Sequence, residues 1–181
     1  MELSRLEIAA TLFAYAVNAL DSDNALVELD RAGIEQVPAT AMTNGTGANQ
    51  ANVWFENQSG SLGSGASTDH DLNGGTGFTI TGTGLNILGQ TWALAEVVAL
   101  LIVNDATSAG DLLIGGAAAN QFDAWLNGNA TAKLLTRPGG FMFLFAPTDP
   151  AYTCASGDHL LKIEASGGAA TYKIFGVGRS T

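Results

Sequence analysis

After Pro38 repeated glycine-rich turns cut the chain into short apolar runs, and this punctuation most limits what it can fold into. Short strands between turn clusters are the pattern of a β-sandwich or barrel. Val53-Trp54-Phe55 reads as a first strand behind the hairpin-type signal Asn44-Gly45. Phe78 and Ile80 alternate with Thr79 and Thr81, a half-buried strand between two glycine clusters. Val97 to Val103 is continuously apolar, as in a strand covered on both faces. Further runs are Leu112–Ile114, Lys133–Leu135, Phe141–Phe145, Leu160–Ile163 and Tyr172–Val177. About eight strands result, the number a double-sheet jelly roll uses. Ala117 to Leu126 reads as either a short helix or a loop.

Residues 1–36 differ, with seven acidic residues and a single glycine, Gly33. Leu3, Leu6, Phe13, Val17 and Leu20 recur at helical spacing, and Ser4 with Glu7 makes a capping-box pattern. A helix over about residues 4–19 is predicted; alternation of Leu6, Ile8, Ala10 and Leu12 gives an extended arm as the rival. The expected fold is therefore a mostly β, jelly-roll-like antiparallel sandwich over residues 39–181, preceded by a helical or extended N-terminal arm over 1–38. No 20-to-50-residue repeat is visible, which disfavours solenoids and propellers.

A chain of 181 residues removes roughly 70% of its unfolded surface from water, so it needs neither disulfide nor metal to fold. Its one cysteine, Cys154, is expected to be a small buried hydrophobe in a reducing compartment. Seven Lys and Arg against 17 Asp and Glu give a net charge of -10, with no basic footprint for nucleic acid. No apolar run approaches the ~20 residues of a membrane helix. Ile8 to Val17 imitates a signal-peptide core, but Glu2 and Glu7 stand where positive charge belongs, so secretion is not expected. The charged fraction of 13% suits a surface that packs against neighbours.

Candidates for chemistry each meet a plainer reading. Two histidines, His70 and His159, and no G-x-S-x-G elbow leave hydrolase chemistry without a base beside its nucleophile; Ser64 sits in a Gly-Ser linker. Asp69-His70-Asp71 cannot turn three neighbours to one metal from a strand, so a solvated turn before Leu72 is preferred. Asp21, Asp23 and Asp30 fail the calcium-loop template at Ala25, Leu26 and Ala32. Glu56, Glu96 and Glu164 show no spacing that selects a glycosidase pair. Trp54, Trp92 and Trp125 read as core or interface anchors before sugar platforms. Gly82-Thr83-Gly84 lacks the phosphate-loop lysine, and the triplets at Asn44, Asn57 and Asn129 matter for glycosylation only in a secreted chain. No catalytic, cofactor or metal residue is assigned, and the chain is expected not to be an enzyme.

The stretches GTGANQANVWFENQSGSL (Gly45 to Leu62), GDLLIGGAAANQFDAWL (Gly110 to Leu126), RPGGFMFLFAP (Arg137 to Pro147) and SGDHLLKIEASGGAATYKIFGVGRS (Ser156 to Ser180) resemble small virion proteins of long-tailed bacteriophages. The resemblance covers roughly residues 44–181 and rests on turns and strand ends. It implies a jelly-roll or related sandwich unit of a virion assembled in the host cytoplasm. A capsid decoration or cement protein is the leading expectation, a homotrimer bound to the major capsid protein. A tail component (tube, neck or fibre-associated) is the alternative, and a carbohydrate-binding module a third. Residues 1–38 are expected to act in attachment.

Overall fold

A computed structural model describes residues 42–43, 45–74, 94–154 and 157–180. The described residues form β1 Val53–Leu62, β2 Ser67–Asp71, β3 Leu94–Asn104, β4 Asp111–Gly115, β5 Lys133–Thr136, β6 Phe141–Phe145, β7 Tyr152–Thr153, β8 Leu160–Ser166 and β9 Ala170–Ser180. Alternation drives the late strands: in β8 every second residue, Leu161, Ile163 and Ala165, is buried while its neighbours are half-exposed.

All named strand pairs are antiparallel, in two sheets. One has the order β1-β9-β3-β6, with β7 also on β3; the other has β2-β8-β4-β5. The pairing is nested: β1 finds β9, β2 finds β8, and β4 finds β5. The turn at Gly63–Ala66 crosses from β1 to β2, and the turn over 137–140 crosses from β5 to β6. Each side of the sandwich therefore ends in one edge strand from each sheet. The turns between β3 and β4 and between β8 and β9 close together, Ala109 N–H donating to Ala169 O at 2.9 Å. A Cβ on Gly110 would strike the Gly168 backbone, so glycine permits this approach.

The core lies between the sheets, where Phe55, Leu100, Ile102, Leu112, Ile114, Phe122, Leu161, Ile163 and Ile174 are at most 1% exposed. Asn104 Nδ2 donates to Gly110 O at 3.1 Å and Thr136 O at 3.0 Å, tying the end of β3 to the second sheet. A smaller cluster lies apart from this core: Met42 and Ala51 pack with Val98, Ala99 and Val177, beside Phe143 and Phe145. Arg179 anchors this covering segment. It is 1% exposed and donates to Gln50 O, Pro147 O and Glu96 Oε2.

Two glycine–aromatic pairs set the β1–β9 contact. Phe55 faces Gly176 and Tyr172 faces Gly60 in the register, and each ring fills the space a Cβ would take. Gly176→Ala should cost about 1–3 kcal/mol in urea unfolding through overpacking. Phe55→Leu in the same chain should recover part of that loss. An unchanged urea midpoint for Gly176→Ala would show that the ring does not lie over the glycine.

The expected fold class needs correction. The described residues make a two-sheet antiparallel sandwich, and they contain no α-helix. The helical or extended arm over 1–38, with its helix at 4–19, lies outside the described residues, as does the strand around Phe78 and Ile80. Ala117 to Leu126 is a loop closing in one 3₁₀ turn, Ala124–Leu126. Thr43 bridges Gln50 in the parallel sense, so no two-residue hairpin forms at this point; Asn44 itself is outside the described residues. β2 and β7 are strands that patterning does not announce.

Candidate interaction surface

The two outer faces of the sandwich differ in chemistry. On β6, Met142 is buried and Leu144 packs on the main core, so Phe141, Phe143 and Phe145 take the other face. Register places Phe143 beside Leu101 and Leu101 beside Phe175, with Phe141 beside Val103 in the next row. Phe143 and Phe145 stack, centroids 6.3 Å apart. Phe141 is 57% exposed, the others half-exposed. This is an aromatic face, half of it covered by the Met42–Ala51 segment. Glu56 and Lys173 stand at its margins, on β1 and β9.

The other outer face carries ions. Asp69 pairs in register with Lys162; Glu164 Oε2 lies 2.8 Å from Lys133 Nζ and 3.9 Å from Lys162 Nζ. The Lys133 hydrogen bond, aided by the charges of Lys133 and Lys162, holds the Glu164 carboxyl below its usual range.

The two lateral sides differ as well. From Val53 to Asp71, β1 and β2 carry Glu56, Asp69 and Asp71 and no cation. From Lys133 to Phe145, β5 and β6 carry Lys133 and Arg137 and no acid. The sequence has no Lys or Arg between Arg31 and Lys133. That asymmetry becomes two opposed edges only once β1–β2 and β5–β6 sit on opposite sides.

The residues weighed for chemistry are kept apart. Asp69-His70-Asp71 lies on β2, not in a solvated turn. His70 is 1% exposed, and its Nε2 lies 2.9 Å from Tyr172 Oη, while Asp69 is exposed. Asp71 Oδ1 accepts from Asn73 N–H at 2.9 Å and Gly74 N–H at 2.7 Å. Glu56 and Glu164 belong to different sheets, and Glu96 is bound to Arg179. Trp125 is half-buried, its indole N–H donating to Phe122 O at 3.0 Å. Trp92, Gly82-Thr83-Gly84 and Asp21, Asp23 and Asp30 lie outside the described residues. Ser64 is in the exposed turn after β1, and His159 Nε2 lies 3.9 Å from Asp71 Oδ1.

Cys154 is fully buried with its Sγ on Leu94 O, and burial, then the charges of Glu96 and Asp71, push its thiol up to about 12. Among the described residues no three His, Cys, Asp or Glu side chains are grouped to hold a metal. A shallow depression of about 190 Å³ is lined by Val103, Asn104, Asp105, Ala106, Gly139 and Lys173, one carboxylate and one amine among them. Among the described residues, the two contrasting outer faces and the two charged sides are the most extensive features. No protein-family model matches the chain, and no curated protein does.

Proposed function

We propose that the chain is a structural, non-catalytic subunit of a tailed-bacteriophage virion, a decoration or cement protein that reinforces the capsid from outside. The contrast between the two outer faces carries this reading. One face presents Phe141, Phe143, Leu101, Val103 and Phe175; the other is laced with ion pairs. A sandwich with one aromatic and one wet face suits a protein that lies on a larger surface. The proposed partners are the major capsid protein and further copies of the chain, three to an assembly. Binding that bridges shell subunits adds its free energy to shell stability by mass action. The resemblance to phage virion proteins supports placing it in the particle, and the net charge of -10 supports separation from packaged DNA. No cofactor enters the role.

Capsids assembled without the protein should form but rupture at lower temperature, and adding it back should restore resistance. Phe141→Asp tests the face itself, since Phe141 is 57% exposed and contributes little to the core. Particle binding should weaken about 30-fold or more, while the urea midpoint stays within the range of surface changes. Finding the protein only along the tail, or losing assembly outright without it, would replace the capsid reading with the tail component.

A further inference from the structure

We propose that copies of this chain associate head to tail, the β5–β6 side of one copy against the β1–β2 side of the next, closing into a ring. This deepens the self-association in the reading above and rests on it in that respect alone.

The first argument is charge. Arg137 is 76% exposed at the β5–β6 turn with Asp111 of β4 at 3.3 Å, and Lys133 begins β5 with its Nζ 2.8 Å from Glu164 of β8; neither β5, β6 nor their turn itself holds an acid, so the outermost charges on this side are cationic. The opposite side presents Asp69 and Glu56 with no cation. Two cationic sides brought together would repel, whereas cationic against acidic is attractive and fixes register.

The second argument is register. In the second sheet Gly115 pairs with Lys133, Ile114 with Ile163, and Asp69 with Lys162, the residue before Ile163. Lys133, Gly115, Lys162 and Asp69 thus share one row across the sheet. A copy displaced along that row and turned about an axis parallel to the strands keeps its strand directions and brings its Asp69 level with Lys133.

The third argument is strand direction. Each sheet path has four antiparallel strands, so β1 and β6 run oppositely, as do β2 and β5. A neighbour that keeps its strand directions therefore meets both edges in the antiparallel sense. The bulge between Asn57 and Gly60 interrupts β1, which leaves side chains to make much of the contact. Leu134 and Leu135, 41% and 47% exposed on β5, would be covered by it. A heterologous contact of this kind yields a ring when its rotation closes.

Sedimentation of the purified full chain, without particles, tests this with charge reversal. Lys133→Glu with Arg137→Glu should weaken self-association at least about tenfold, and Glu56→Lys with Asp69→Lys should do the same. All four together restore opposite charges across a head-to-tail contact while losing the internal pairs of Lys133 with Glu164 and Arg137 with Asp111, so association should recover most of the loss of either double variant. Loss on reversing the cationic side alone, with the acidic side indifferent, would establish a two-fold contact and overturn the proposal. So would a four-fold variant that stays dissociated while its urea midpoint is normal, or a wild-type chain that is monomeric at every concentration. Should a variant not fold, the wild type still decides: its association must weaken as salt rises. Particle binding is read separately, so a monomer that decorates capsids overturns the ring and leaves the capsid reading in place.

Discussion

Raising the pH from 9 to 12 should progressively destabilise this protein, through two groups that are buried neutral. Cys154 is fully buried and its thiol is pushed from 9.0 up to about 12, chiefly by burial. Tyr172 is 3% exposed, and burial pushes its phenol from 10.0 up to about 12. In both, the folded state holds the proton more tightly than the unfolded chain does. Their contribution is whole below the unfolded value and is lost as pH climbs toward the folded one. The fall therefore begins near pH 9 with Cys154, steepens above pH 10 as Tyr172 joins, and ends near pH 12. At about 1.4 kcal/mol per pH unit for each group, the loss is at most about 4 kcal/mol from the thiol and about 3 from the phenol. That is comparable with the whole stability of a domain, about 5–15 kcal/mol. Urea titrations at fixed pH measure it. Cys154→Ala should remove the decline between pH 9 and 10 and roughly halve the slope above it, leaving the part that belongs to Tyr172. Stability that stays flat to pH 11 would show that neither group is held away from water. The same burial leaves roughly 1,000-fold less thiolate than an ordinary cysteine at neutral pH, so Cys154 should resist alkylation until the chain is denatured.

What the sequence disclosed follows from the range of the interactions involved. Strands bounded by local punctuation were legible: Gly115-Gly116 closes β4, Arg137-Pro138-Gly139-Gly140 separates β5 from β6, and Gly167-Gly168 separates β8 from β9. The apolar run Val97–Val103 marked a strand, but it is covered on both faces only over Val97–Leu100, while Leu101 and Val103 are half-exposed. The main core covers Val97, Leu100 and Ile102, and the Met42–Ala51 segment joins Val98 and Ala99 in the second cluster. β2 was illegible because Ser-Thr-Asp-His-Asp has no apolar alternation; its inward residues are Thr68 and His70, and the buried one is a histidine paired with a tyrosine 102 residues away. The aromatic face was half legible. Phe141 to Phe145 is an unbroken apolar run in the sequence, whereas β6 is an edge strand whose odd residues leave the core. Charge totals excluded a nucleic-acid footprint but hid the division of charge between the two sides, which exists only once the nested pairing is made.

Arg179→Ala should be as damaging as truncating a large core side chain, because of what it leaves behind. The guanidinium holds three acceptors from separate segments: Glu96 Oε2 at 2.7 Å on β3, Gln50 O at 3.0 Å and Pro147 O at 3.1 Å. Glu96 also accepts from Ala151 N–H at 3.2 Å. Truncation strands a carboxylate that is only 17% exposed together with two carbonyls, and breaking such a pair from one side costs about 3–5 kcal/mol. Replacing both partners, Arg179→Met with Glu96→Met, removes the stranded charge and should cost about 2 kcal/mol less than Arg179→Ala, the remainder being the unpaired backbone groups. Arg179→Lys should fall between, since one ammonium on a flexible stem cannot reproduce a planar fork reaching three acceptors. Urea unfolding of the three variants gives the order. The consequence extends to the aromatic face, because Gln50 and Pro147 belong to the segments that meet over it: Asn49 N–H donates to Pro147 O at 2.8 Å. Hydrogen exchange at Asn49 and Ala51 should quicken in Arg179→Ala before global unfolding does. If those amides keep their protection while stability falls, the guanidinium supports the core alone and does not hold the cover.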